Sequence, residues 1–296
     1  MASVLDFSVI IPTYNRPDQL RLCLAALSQI SYRRDRFEVI LVDDGSQTPL
    51  NAAINPFQSQ LNITLLRQKN AGPAAARNAG AQQAQGKFIA FTDDDCMPSP
   101  NWLSGFADRL AQAPSAMVGG RSLNALPHNL YSSASQALID YLYTYYSDPQ
   151  KEMFFASNNI AMAKQHYVSV GGFDTSFPLA AAEDRELCDR WQQQGLAMCY
   201  APEVTIRHAH PLSLKSFWRQ HFGYGRGAFC FHQVRAHRKD KPIKVEPVKF
   251  YTDLLAYPLK RSDVKSPLLV STLFFLSQMA TTTGFFWERS VRKKAA

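Results

Sequence analysis

Three short apolar runs in the first hundred residues each stop at a polar cluster, and this repetition leaves few folds open. Residues 7–11 (FSVII) run into PTYN, residues 37–42 (FEVILV) into DDGS, and residues 88–91 (FIAF) into TDDD. A fourth run, residues 63–66, precedes RQKNAG. Short apolar blocks of this kind read as strands buried on both faces, as in a parallel sheet. Helical stretches separate them: LRLCLAALSQI after residues 7–11, and the alanine-rich PAAARNAGAQQAQG, closed by Gly86, after residues 63–66. Strand–helix alternation at this spacing predicts βαβ units, whose right-handed crossovers place the strand ends along one edge. Ligands bind at that edge in open α/β sheets.

The sharpest of the polar clusters is Asp93-Asp94-Asp95. Three adjacent carboxylates repel one another, so a positive charge is required nearby. A hard divalent cation shared with substrate phosphates meets that need. A helix N-cap with acids in the first turn, opened by CMPSPNWLSGF, is the competing reading, but capping accounts for one acid rather than three.

Further along, residues 117–120 read as a strand, 131–147 as a tyrosine-rich helix, 154–163 as a strand, 183–194 as a helix and 201–208 as a late strand. Leu187 and Trp191, four apart, define a core face of that last helix. The tyrosines at 141, 143, 145 and 146 offer rings for stacking on sugars, but a packed amphipathic helix is the simpler reading. Asn158 and Asn159 stand at a strand end, as turn residues or as lining for a sugar pocket. One catalytic domain to residue 212 and a C-terminal extension, 213–296, follow from the change in character there.

That change is electrostatic as well as structural. From residue 207 onward 17 Lys/Arg face 5 Asp/Glu, a balance of +12, whereas the preceding residues carry −4. A near-neutral body with a basic tail points to an anionic surface, nucleic acid or membrane, or to a solvated basic face. Residues 268–286 are largely apolar but interrupted by Ser, Thr and Gln, which makes a poor spanning helix. A helix lying in the lipid headgroup region and a helix packed on the catalytic domain remain equal readings. Five scattered cysteines without a CxxC pair argue for a reducing compartment, and MASVLDFSVIIP has no secretory signal pattern. The expected location is the cytoplasm, with peripheral contact at the inner face of the cell membrane.

Neither GxGxxG nor a Walker A sequence is present, so a nucleotide is held by other means. Thr13, Tyr14 and Asn15 offer hydroxyl, aromatic and amide groups at the first strand end. Asp43 and Asp44 offer acceptors to a base or ribose at the second. Arg77 and Asn78 extend from the third helix towards phosphate. Each has a local alternative as a turn, cap or solvated residue.

Taken in order, FSVIIPTYNRPDQL, EVILVDDGS, NAGPAAARNAG, FIAFTDDDC, GGFDTSF and AEDRELCDRW resemble glycosyltransferase family 2, over residues 6–210. The resemblance implies an α/β, GT-A fold: a mostly parallel nucleotide-binding sheet flanked by helices. It assigns Pro12, Thr13, Asn15, Asp43 and Asp44 to the nucleoside, and Arg77 and Asn78 to the diphosphate. Asp93 falls on the ribose side and Asp95 on the metal, with Asp93 a second candidate ligand and Asp94 a donor-site residue without a defined role. Glu183-Asp184 supplies the general base, Asp184 foremost. His208 or His210 completes the metal or diphosphate contact, and spacing does not choose between them. The Gln-x-x-Arg-Trp motif of processive members is absent, which favours transfer of one sugar.

The expected activity is therefore metal-dependent (Mn²⁺ or Mg²⁺), inverting transfer from a UDP- or dTDP-sugar to a hydroxyl acceptor. A glycan or lipid-linked acceptor in cell-surface glycan or glycolipid synthesis, rather than nucleic acid, is the expected partner. A sugar nucleotidyltransferase would need a glycine-rich loop where PTYNRPDQL stands. A non-enzymatic nucleic-acid binder would not need polar groups on several sheet-edge loops.

Overall fold

The computed structural model describes residues 5–146, 153–177, 181–239 and 246–295. The described elements are, in order, β1 (Phe7–Thr13), α1 (Pro17–Leu27), β2 (Phe37–Asp43), α2 (Asn51–Ile54), β3 (Ile63–Arg67), α3 (Pro73–Gln83), β4 (Phe88–Thr92), β5 (Cys96–Pro98), α4 (Trp102–Gln112) and β6 (Met117–Asn124). They continue as α5 (Leu130–Tyr146), β7 (Asn159–Ala163), α6 (Lys164–Val170), α7 (Glu183–Gln193), β8 (Met198–His208), α8 (Leu214–Lys239), α9 (Val248–Ala256) and α10 (Pro267–Ala295).

Two compact units result. The first contains residues 1–125, 154–175 and 184–209; the second contains 126–153, 176–183 and 210–296. The second thus takes in α5 and the start of α7 as well as the chain beyond residue 212, the boundary expected from composition.

The first unit is built on one eight-stranded sheet in the order β3-β2-β1-β4-β7-β6-β8-β5. From β3 to β4 it is parallel, as the strand–helix alternation requires. The sheet is mixed beyond that point. β7 runs antiparallel to both β4 and β6, and β5 antiparallel to β8. β1 and β2 are buried along their whole length, which explains their lack of polar alternation. Helix α3 lies close on β1 because Gly80 faces Ile10 and Val42, where a Cβ would stand 2.5 Å from a methyl of Ile10. Trp191 is fully buried and donates its indole N–H to the Ala197 carbonyl, as the Leu187/Trp191 spacing predicts for a core residue.

Helix α4 starts at Trp102, seven residues after Asp95, and a short strand, β5, lies between. The three aspartates are therefore not in the first turn of a helix, and the capping reading is set aside. The strand expected over 154–163 forms only from Asn159.

The second unit is helical. Its core joins Ala134, Leu138 and Tyr141 of α5 to Phe217 of α8, Phe250 and Leu254 of α9, and Val270 and Phe274 of α10. Helices α8 and α10 cross at two glycines. A Cβ on Gly225 would sit 1.9 Å from the Thr281 carbonyl oxygen, and one on Gly284 would sit 2.0 Å from that of Phe222. Glu288 of α10 is buried, accepting hydrogen bonds from Arg226 (2.7 Å) and Arg292 (3.0 Å).

Candidate active site

The C-terminal ends of β1 and β4 bring Thr13 to Asp94, and the Thr13 hydroxyl donates to Asp94 Oδ2 at 2.8 Å. The partnership follows from register, since β1 and β4 run parallel side by side and both end at the same sheet edge. The chain then turns through Asn15, at φ +55°. Asn is one of the few non-glycine residues that enters this left-handed region readily. Its amide N–H donates to Ser46 Oγ (2.9 Å), and its side-chain oxygen accepts from Gln47 N–H (2.8 Å). Asn15 thus ties the loop after β1 to the DDGS loop after β2. Pro12 is buried in β1 opposite Val42 and contributes no polar side chain.

Asp43 and Asp44 shape loops. Asp43 accepts from the Ser46 N–H at 2.8 Å. Asp44 accepts from Ala71 and Gly72 N–H (2.9 and 2.8 Å) and from Gln68 Nε2 (2.8 Å). Both are almost fully buried. Beside the nucleoside role expected of them, both thus brace the loop: Asp44 through two backbone donors and an amide, Asp43 through one backbone N–H, with Arg67 Nε 3.7 Å from its other oxygen. Asn78 is committed in the same way. Its oxygen accepts from Tyr167 OH (2.6 Å) and Phe173 N–H (2.9 Å), and its nitrogen donates to the Phe173 carbonyl (2.8 Å). It locks α3 to the GGFD turn rather than facing phosphate.

Positive charge reaches the three aspartates from two arginines. Arg77, buried on α3, donates to Asp93 Oδ1 at 2.7 Å, with its guanidinium 5.4 Å from the Phe173 ring centroid. Arg16 bridges Asp94 Oδ1 (3.3 Å) and Asp95 Oδ2 (3.0 Å), and its side chain stays 46% exposed. Burial, followed by repulsion from Asp95, pushes the Asp94 carboxyl up to about 7 against the opposing effect of Arg16. Arg16 belongs to PTYNRPDQL, but nothing in its position marks it apart from a solvated turn residue. The charge of TDDD was the only signal that could have found it.

Asp95 Oδ1 lies 3.2 Å from His208 Nε2. Burial works against a charge on His208, but the hydrogen bond and the charges of Asp95 and Asp93 outweigh it, so the imidazole sits above its ordinary value. Antiparallel pairing of β5 with β8 sets Cys96 opposite His208 and so delivers this contact. His210 Nε2 pairs instead with Gln220 Oε1 at 3.2 Å within the second unit. Of the two histidines that spacing left open, His208 is the one that stands beside Asp95.

One ligand atom each from Asp95, Cys96 and His208 lie within 4.8 Å of one another. The Asp95 carboxylate suits Mn²⁺ or Mg²⁺, and the His208 imidazole favours the transition metal of the two. The Cys96 thiol, pushed well above its ordinary value by burial, is a soft donor that a hard cation does not favour. The residues present fit a divalent cation on Asp95 and His208, while Asp93 is turned to Arg77.

Asp184 is the second residue of α7, following Ala182 at φ +71°. Its carboxylate accepts from the Arg185 N–H at 2.7 Å. Burial raises its pKa, and hydrogen bonds from backbone N–H groups and the charge of Arg77 only partly offset this. The same Arg77 therefore acts on Asp93 and on Asp184. Glu183 is buried and belongs to the second unit. Residues 178–180 of the loop expected to present Asp184 lie outside the described residues. α7 is held by Arg190, which donates to both Glu186 oxygens and to the carbonyls of Val170 and Gly172. Asn159 is structural, accepting from the Trp102 indole at 2.8 Å and donating to the Arg121 and Val204 carbonyls. Asn158 accepts from the Ser122 hydroxyl at 3.3 Å.

Residues 8–170 match the sequence profile of glycosyl transferase family 2. The chain belongs to that family. Among its relatives, glycosyltransferase AglE of Haloferax volcanii is 28% identical over 77% of this chain and 74% of its own length. The hyaluronan synthase of Pasteurella multocida is 30% identical over 70% of this chain, which spans 25% of that synthase. For the Escherichia coli chondroitin synthase the share is 33%. Among solved structures, a Pyrobaculum calidifontis mannosyltransferase in complex with GDP-Man and Mn²⁺ aligns at TM-score 0.60 and 19% identity, covering 93% of this chain and 75% of that one. Staphylococcus aureus TarS residues 1–349 with UDP-GlcNAc aligns at 0.53 and 17%, covering 98% and 92%. At these identities the structural likeness establishes the GT-A fold. Family membership makes the chain a glycosyltransferase and sets aside the nucleotidyltransferase and nucleic-acid-binder alternatives.

Proposed function

We propose that this glycosyltransferase transfers a single sugar, with inversion and with a divalent cation, from a UDP- or dTDP-sugar to a hydroxyl of a glycan or lipid-linked acceptor. The observation that carries this reading is the gathering of Thr13, Arg16, Arg77, three aspartates and His208 at one sheet edge. The GDP-Man and UDP-GlcNAc complexes of the two structural relatives support a nucleoside diphosphate sugar as donor class.

Displacing a nucleoside diphosphate from an anomeric carbon requires that the leaving charge be neutralised and the acceptor hydroxyl deprotonated. Asp95 and His208 would hold the divalent cation, which would supply Lewis-acid neutralisation of the diphosphate. Arg16 and Arg77 are the chain's own cations beside that position, so each can hold diphosphate oxygens. Asp184 accepts the acceptor's proton, and its raised pKa makes it a better base than an ordinary carboxylate. One base gives one displacement and an inverted product; retention would require a second carboxylate acting as nucleophile.

A screen of nucleotide sugars and hydroxyl acceptors, run with wild type and Asp184→Asn, tests this. The substitution is expected to cut transfer by about 10²–10⁴-fold while nucleotide binding survives. Transfer at the wild-type rate in Asp184→Asn would remove Asp184 from the base role.

A further inference from the structure

Helix α10 has an apolar face that the second unit does not bury. Leu268, Phe275, Met279 and Phe286 are 73, 53, 46 and 55% exposed. Their spacings of seven, four and seven residues keep all four within about 20° of one line on a helix of 100° per residue. The stripe is roughly 27 Å long at about 1.5 Å per residue. The opposite face is spent inside the unit, with Val270, Leu273, Phe274 and Ala280 buried and Gly284 pressed on the Phe222 carbonyl. By length and composition alone the helix over residues 267–293 could cross a bilayer, with an 18-residue stretch of mean hydropathy 1.3. Packing decides otherwise, because α10 shares its inner face with α8, whose Lys215, Arg219 and Arg226 do not suit a hydrocarbon core.

The exposed charges on α10 itself have one sign, and Asp263, the exposed acid just before it, is paired with Arg261. Exposed Lys265 precedes the stripe, and exposed Arg289 and Lys293 follow it. The wheel places Lys293 on the same line as the apolar residues and Arg289 about 60° away. The one acid of α10, Glu288, is on the far side, buried between Arg226 and Arg292. A partner for this face must therefore be apolar in its depth and anionic at its surface. A protein partner needs no such layering along a line of helical length. A bilayer carrying anionic lipids has it everywhere.

We propose that α10 docks the protein on an anionic lipid surface. Leu268, Phe275, Met279 and Phe286 enter the acyl boundary, and Lys265, Arg289 and Lys293 meet the headgroup phosphates. This inference is independent of the sugar-transfer chemistry. The full chain should sediment with phosphatidylglycerol-containing vesicles and far less with phosphatidylcholine alone, and added salt should weaken the binding. Phe275→Ser with Phe286→Ser should reduce binding by about tenfold or more at any salt. Arg289→Gln with Lys293→Gln should lower it by a similar factor at low salt only. Both pairs are surface changes, and an unchanged melting curve confirms that each variant is folded. Wild type remaining in the supernatant, or the phenylalanine pair sedimenting like wild type, overturns the proposal. So does a wild-type dimer in sedimentation velocity that the phenylalanine pair converts to monomer, since the stripe would then be a self-interface.

Discussion

Asp93, Asp94 and Asp95 demand compensation, and the chain answers with its own cations, Arg77 and Arg16. Arg16 is the more telling, because its half-exposed side chain touches both aspartates next to the expected cation position. Arg16→Gln removes that competing charge. Mn²⁺ binding without nucleotide, followed by electron paramagnetic resonance, should then tighten several-fold, while nucleoside diphosphate affinity should fall. Unaltered Mn²⁺ affinity would show that Arg16 does not hold the cation's place. Asp184 carries a pH prediction. A base works only when deprotonated, and burial holds this carboxyl above its ordinary 3.8. The acid limb of kcat/KM should therefore lie above the ordinary carboxylate range, with activity rising as pH rises through it. A limb near 3.8 would place the titrating group elsewhere. The aspartates were legible from sequence because strand-end acids stand out against an apolar run. Arg16, Asn78 and Asn159 were not, because each role depends on a partner at least 57 residues away.

At the scale of elements, two joints hold positions that the site and the apolar stripe depend on. Arg190 fastens α7 to the GGFD turn by donating to the Gly172 carbonyl, and it also pairs with Glu186 of its own helix, which is almost fully buried. Arg190→Met removes the arginine's two hydrogen bonds to that buried carboxylate, a loss of about 1.5–3 kcal/mol. Chemical denaturation should show this loss, and transfer should fall with it as Asp184 shifts. The second joint is the α8–α10 crossing, where backbone meets backbone at Gly225 and Gly284. A methyl at Gly225 forces the helices apart, so Gly225→Ala should destabilise the helical unit by roughly 1–3 kcal/mol. An unchanged denaturation midpoint would contradict the close crossing. The parallel strands β1–β4 could be read from their apolar blocks. The reversed direction of β7 and the three-residue β5 could not, since neither direction nor pairing is written in a local pattern.

For the whole molecule, a nucleotide that binds only the folded sheet edge must stabilise it by mass action. A nucleoside diphosphate with Mn²⁺ at about a hundred times its dissociation constant should add about 2.7 kcal/mol to that unit. Calorimetry should show the corresponding transition move to higher temperature, and this shift should shrink in Arg16→Gln. The charge split along the chain, +12 from residue 207 onward, is legible in composition alone. By itself the sequence determined the family, the parallel α/β core and the acidic strand end, because these rest on local runs of residues and their order. Tertiary structure alone decided that His208 rather than His210 meets Asp95, that Asp44 and Asn78 brace loops, and that α10 turns an apolar line outward. Each of these is a choice of neighbour, and neighbours far apart in sequence are selected only when strands and helices pack.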